Sequence, residues 1–169
     1  MINMSAGHLA PSSGGFEPQR AFNWTLILPG VSDPELVRLA VEKIQMPRVS
    51  NSVIRLRFQN QDRKVAGGAS VDANAITVRD FVDKPVLKVL SDWRKQVHDM
   101  QAGIIGYASD YKKNATVQLV DPKGEVKRSF TLEGVWPSQL SFTDLDYNSD
   151  SSEVKISMTL QVDVYKFNF

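Results

Sequence analysis

Hydrophobic and polar residues alternate with a period of two over much of this chain, and that period is the signature of half-buried β-strands. The clearest case runs from Glu153 to Phe167. There Val154, Ile156, Met158, Leu160, Val162 and Val164 fall on one side, and Ser157, Thr159, Gln161 and Asp163 on the other. Such a strand packs one face on a core and turns the other to water. Val53 to Phe58 reads the same way, with Ile54, Leu56 and Phe58 predicted to face the core and Arg55 and Arg57 opposite them. Phe22 to Leu28 is an aromatic and β-branched run that stops at Pro29-Gly30, and Asn74 to Arg79 is a further strand. Ala115 to Val120 and Val126 to Leu132 flank Asp121-Pro122-Lys123-Gly124. Pro in second and Gly in fourth place suit a type I turn, which predicts a hairpin. Trp136-Pro137 is expected to interrupt the strand pattern and Gln139 to Leu145 to resume it.

Helical spacing occurs at one convincing place. Val86, Leu90, Trp93, Val97 and Met100 follow at steps of three and four behind Asp83 and Pro85, which predicts a helix capped by Asp83 and ended at Gly103. Ser32 to Arg38 opens on Ser-Asp-Pro-Glu and predicts a short helical turn that passes into a strand near Leu39 to Ile44. Asn60 to Ala73 is polar and carries Gly67-Gly68, so it reads as a long loop or an irregular hairpin tip. Together these predict a mainly β fold, a β-sandwich or barrel with one flanking α-helix.

Length adds that 169 residues make one domain. The Ser-, Gly- and Pro-rich residues 1–20 are expected to form a flexible N-terminal arm and 21–169 the β-barrel domain. Met1 to Arg20 lacks the basic segment and apolar run of a signal peptide, and no apolar stretch approaches the ~20 residues of a membrane span. No membrane partner is expected. Lys+Arg number 20 against 19 Asp+Glu. That balance argues against a dedicated nucleic-acid binder, which carries a basic excess. The absence of cysteine removes disulfides, thiol catalysis and Cys-ligated metals, and fits a reducing cytoplasm.

The remaining candidate chemistry is thin. Asp144, Asp146, Asn148, Asp150 and Glu153 suggest a calcium loop, but Ser149 stands where the loop needs Gly and Lys155 where it needs a bidentate Glu. A solvated acidic turn is the better reading, and nothing places two of these carboxylates across a glycosidase cleft. His8 and His98 lack the companions of a triad or a zinc site. Gly67-Gly68 lacks the following Gly-Lys-Ser/Thr of a phosphate cradle. No catalytic residue, metal or cofactor is predicted. Arg55, Arg57, Arg63 and Lys64 lie close together without interleaved aromatics, Phe58 being on the other face, and read as a solvated or subunit-facing basic edge.

Gly134-Val135-Trp136-Pro137, then Leu140, Asp144-Leu145-Asp146-Tyr147 and the strand from Glu153 to Leu160, resemble the ending of contractile-tail phage tube proteins. Asp92-Trp93, Tyr111-Lys112-Lys113 and Arg63-Lys64-Val65-Ala66-Gly67 extend the resemblance over about Arg20 to Phe169. It implies a fold shared with the type VI secretion tube protein: a β-barrel assembled into hexameric rings that stack into a hollow tube. The implied role is structural and not enzymatic, in a virion tail assembled in the bacterial host cytoplasm. The implied partners are further copies of the chain, the tail sheath protein, and baseplate and tail terminator proteins. Genomic DNA would pass through the lumen during ejection without specific binding. Under this reading Ser157, Thr159, Gln161 and Asp163 are expected to line the lumen and give it a neutral to acidic character. Arg55, Arg57, Arg63, Lys64, Gly67 and Gly68 are expected in contacts between subunits or rings, with Asn60 to Ala73 as a stacking loop. A tube-initiating baseplate protein of the same fold is one alternative. A β-barrel ligand-binding module is another, although Trp24, Trp93 and Trp136 fall on a strand, a helix stripe and a turn and not on an aromatic platform.

Overall fold

A computed structural model describes residues 18–148 and 153–168 of the chain. Most of the expected N-terminal arm, with His8, lies outside the described residues, as does Asp150. The elements in order are β1 (Trp24–Ile27), α1 (Pro34–Ala40), β2 (Val41–Ile44), β3 (Val49–Phe58), β4 (Gln61–Val71), β5 (Asn74–Arg79), α2 (Val86–Val97), β6 (His98–Asp99), β7 (Ile104–Ile105), α3 (Ala108–Tyr111), β8 (Lys113–Val120), β9 (Val126–Phe142), β10 (Lys155–Gln161) and β11 (Val164–Asn168).

Two antiparallel sheets share one strand. The first runs β1-β8-β9-β11 and the second β9-β10-β5-β2. Strand β9 is 17 residues long; it pairs in the first sheet as far as Val135 and in the second from Trp136 onward. The change of direction is made at Gly134, whose φ of +67° suits a residue without a β-carbon. Trp136-Pro137 therefore does not interrupt the strand, contrary to the sequence reading. Pro137 pairs with Leu160 where the register shifts, a place where a sheet tolerates proline.

The final segment departs from a single strand for the same reason. Strand β10 follows the second half of β9 and β11 the first half, so the chain must bend between them at Val162-Asp163. Ile156, Met158, Leu160 and Val162 are buried as the alternation predicts, whereas Val154 and Val164 lie beyond the core and are exposed. Asp163 is held in the bend. Its N–H donates to the Glu133 carbonyl (3.0 Å), its carboxylate pairs with Lys112, and a β-carbon at Gly134 would collide with that carboxylate.

The core between the sheets is aliphatic, with Leu26, Leu28, Ile76, Val78, Val117, Leu132, Ile156 and Met158 buried. Helix α1 is capped by Asp33, whose carboxylate accepts the Leu36 N–H (3.0 Å), with Pro34 in the first turn where its missing N–H is harmless. Helix α2 lays Val86, Val89, Leu90 and Trp93 on the sheets. Asp80, and not Asp83, serves its start by accepting the Leu87 N–H (3.3 Å). The helix stops at Val97, three residues before Met100, which is exposed. Gly103 closes the tight turn from β6 to β7 and does not cap α2. The short α3, which the sequence reading did not foresee, is tied to α2 by the Trp93 indole N–H donating to the Tyr111 carbonyl (2.8 Å). Tyr111 in turn meets Trp136 edge-on at 5.9 Å.

Strands β3 and β4 pair only with each other and form an arm. Ten residues of β3 at about 3.3 Å each give it a length of roughly 30 Å. Two expectations fail here. Asn60 to Ala73 is not a loop; 61–71 is the second strand of the hairpin, turned at Gln59-Asn60. Ile54, Leu56 and Phe58 do not face the core. Both strands leave the body, so every β3 side chain is exposed and the apolar row has no cover from its own chain.

Candidate functional site

Two surfaces combine the residues singled out by sequence: the outward face of the second sheet, and the arm. On the sheet, the core side holds Ile76, Val78, Ile156 and Met158, so the register turns the intervening residues outward. Ser157 lies between Thr77 and Ser141, and Thr159 between Ala75 and Gln139. Small side chains keep this face tight to the backbone: the Ser141 hydroxyl donates to the Ser157 carbonyl (3.3 Å), and the Ser138 hydroxyl to the Thr159 carbonyl (3.1 Å). The Gln161 amide donates to the Ser138 hydroxyl (3.3 Å). Ser157, Thr159 and Gln161 thus share one row as expected. Asp163 does not join it, because it sits in the bend against Gly134 and Lys112. The acidic charge expected from Asp163 is therefore absent from this face.

Charges do occur there, at the end where β10 begins. Lys155 lies between Glu42 (2.9 Å) and Glu153 (3.3 Å), and Arg79 reaches the same two carboxylates (3.5 and 3.2 Å). The hydrogen bond from Lys155 holds the Glu42 carboxyl below its ordinary pKa, and bonds to Glu42 and Glu153 raise that of Lys155. Both shifts favour the ionised forms, so the quartet stays charged and internally neutral at physiological pH. Lys43, registered opposite Thr77, adds a cation with no carboxylate partner among the described residues. The sequence reading missed Glu42, Lys43, Thr77 and Arg79. The alternation in Asn74 to Arg79 already put Thr77 and Arg79 on one side, but only the strand order shows that this side continues the Ser157 row.

On the arm, antiparallel pairing sorts the predicted residues onto two faces. Arg55 pairs with Lys64 and Arg57 with Asp62, giving a charged face with an Arg57–Asp62 contact of 3.6 Å. The other face carries Ile54, Leu56, Phe58 and Val65, with Arg63 beside Leu56. Gly67 and Gly68 occupy a bulge opposite Ser52, where a β-carbon at Gly67 would collide with the Ser52 hydroxyl. Gly68 faces open space.

The other candidates stay apart. Asp146 accepts the Asn148 N–H (2.9 Å), a turn-stabilising bond, and His98 ends α2. Among the described residues no group of three His, Asp or Glu side chains gathers to hold a metal, and no helix is long and apolar enough to cross a membrane.

The whole body, from β1 into β11, matches a known protein family: residues 22–165 fit the model of the T4-like virus tail tube protein gp19. The chain belongs to the tail tube family. Tail tube protein gp19 of Enterobacteria phage T4 is 25% identical over 115 residues, covering 67% of this chain and 71% of that protein. A chain of the sheath-tube complex of an extracellular contractile injection system, PVC, in its extended state shares the fold with a TM-score of 0.69 at 17% identity, covering 97% of both chains. A type six secretion system protein shares it at a TM-score of 0.53 and 9% identity, covering 87% of this chain and 83% of that one. The resemblance read from the C-terminal third is thereby established, and the chain is a structural tail tube subunit of mainly β fold.

Proposed function

We propose that this tail tube protein closes into hexameric rings that stack into a conduit for DNA, and that the outward face of the second sheet lines the lumen. The observation that carries the reading is the row Ser157, Thr159 and Gln161 with its neighbours Thr77, Ser141 and Gln139. It is a hydrated surface of small neutral side chains, bordered by cations that are mostly neutralised in place. A polyanion moving past it meets few unpaired charges to bind. The second sheet is also open at both sides, at β2 and along residues 136–142 of β9, where only β10 pairs. Open edges template pairing with another chain, and ring closure satisfies them. A sheath on the outside and baseplate and terminator proteins at the ends complete the assembly, built in the host cytoplasm.

Particles carrying S157K/T159K/Q161K in this protein test the lumen. Each lysine adds a phosphate contact, repeated around and along the tube, so ejection slows and slows further at low salt. Unchanged ejection kinetics would refute the assignment.

A further inference from the structure

Strict alternation along Val41-Glu42-Lys43-Ile44 would turn Glu42 and Lys43 to opposite faces of β2. The pairing with β5 does otherwise. Val41 lies opposite Val78 and Ile44 opposite Ile76, both of which are buried, and the register shifts between Val41 and Lys43. The extra residue of this bulge brings both charged side chains to the outward face of the second sheet. There Glu42 reaches Lys155 and Arg79, and Lys43 stands opposite Thr77.

The two charges meet different surroundings. Glu42 joins Glu153, Lys155 and Arg79, two carboxylates against two cations, so that group adds no net charge to the face. Lys43 is exposed and pairs with no carboxylate among the described residues. The ring closure proposed above would not supply one. Strand β2 is one open edge of the second sheet and residues 136–142 of β9 are the other. Where those edges meet, Lys43 faces a strand of sequence Trp-Pro-Ser-Gln-Leu-Ser-Phe, which has no acidic residue. Within its own chain the row from Lys43 continues through Thr77, Ser157 and Ser141, one residue on each of four neighbouring strands. An ammonium beside short hydroxyl side chains is the donor set that takes the phosphate oxygens of a nucleic-acid backbone without reading its bases.

We propose that Lys43, repeated once per copy around and along the conduit, is the lumen's contact for the phosphates of passing DNA, with the Thr77 and Ser157 hydroxyls as neutral donors beside it. The proposal rests on the lumen reading and adds a salt-dependent brake to it. A single ammonium on a hydrated wall binds phosphate weakly and is screened by salt, so DNA is retarded and not held. The contact is independent of sequence, as a conduit for a whole genome requires.

Ejection kinetics of particles carrying K43Q test it. One phosphate contact weakens about 3.5-fold over an about fourfold rise in salt, so ejection from unmodified particles should quicken about threefold over that range. K43Q should be fast already at low salt and lose most of the dependence. K123Q removes an equal charge from the exposed turn between β8 and β9 and should eject as the unmodified chain does; an equal acceleration would make the effect one of net charge and overturn the proposal. The chain has no cysteine, which permits a chemical rescue. K43C treated before assembly with aminoethyl methanethiosulfonate regains a side chain ending in an ammonium and should regain slow, salt-dependent ejection, whereas methyl methanethiosulfonate should leave it fast. Rates unaffected by K43Q while S157K/T159K/Q161K slows ejection overturn the Lys43 contact and leave the lumen reading standing. Unchanged rates in both overturn the lumen reading itself. A K43Q chain that folds without assembling, together with K43C that assembles only once the ammonium is restored, overturns the proposal by making Lys43 a contact between copies.

Discussion

Replacing Trp93 with alanine removes the side chain that joins α2 to both sheets and to α3. The residue is 2% exposed and its indole N–H is satisfied by the Tyr111 carbonyl. A buried aromatic removes up to ~250 Å² from water, worth up to ~6 kcal/mol at ~25 cal/mol per Å². A compact unfolded chain already hides part of that area, which brings the value to about 3–5 kcal/mol, the range found for aromatic truncation in cores. For a chain of this size about 4 kcal/mol corresponds to a melting point lowered by roughly 8–16 °C. W93F keeps most of the ring but strands the Tyr111 carbonyl, and should cost about 1–2 kcal/mol. Urea unfolding followed by far-ultraviolet circular dichroism, on chain shown to be monomeric by sedimentation, measures both. A W93A loss below about 1 kcal/mol, or equal losses for the two variants, would refute the packing argument.

G134A places a β-carbon at a φ of +67° and against the Asp163 carboxylate, and should cost at least about 1–3 kcal/mol in the same assay; a neutral effect would remove Gly134 as the pivot between the sheets. Glu42 has a lowered folded pKa, so its contribution is present at neutral pH and lost as pH falls through that value. Stability should therefore fall more steeply towards about pH 3 in the unmodified chain than in E42Q, and superimposable pH profiles would show the quartet to be idle.

The residues of the buried strands announced themselves. Ile76 and Val78, and the run Ile156, Met158 and Leu160, alternate over a continuous core, so period two translated directly into burial. The same period misled at Ile54, Leu56 and Phe58, because amphipathicity states that a face needs cover and not which chain supplies it. Strand β4 was hidden by its composition: Ala66-Gly67-Gly68-Ala69 has little strand propensity, and its pairing with β3 prevails over that preference. Asp163 was placed on the Ser157 row by counting in twos, and a bend imposed by the pairing with the distant Glu133 of β9 broke the count. The ion-pair quartet joins Glu42 to Lys155 across most of the chain, a juxtaposition that only strand order creates.

Electron microscopy of the purified full chain tests the central claim most directly. The account predicts hollow tubes built of stacked sixfold rings, with the outward face of the second sheet, marked by Ser157 and Thr159, on the inner wall. Monomers or isolated closed particles under all assembly conditions, or tubes whose inner wall is formed by α2, would contradict it.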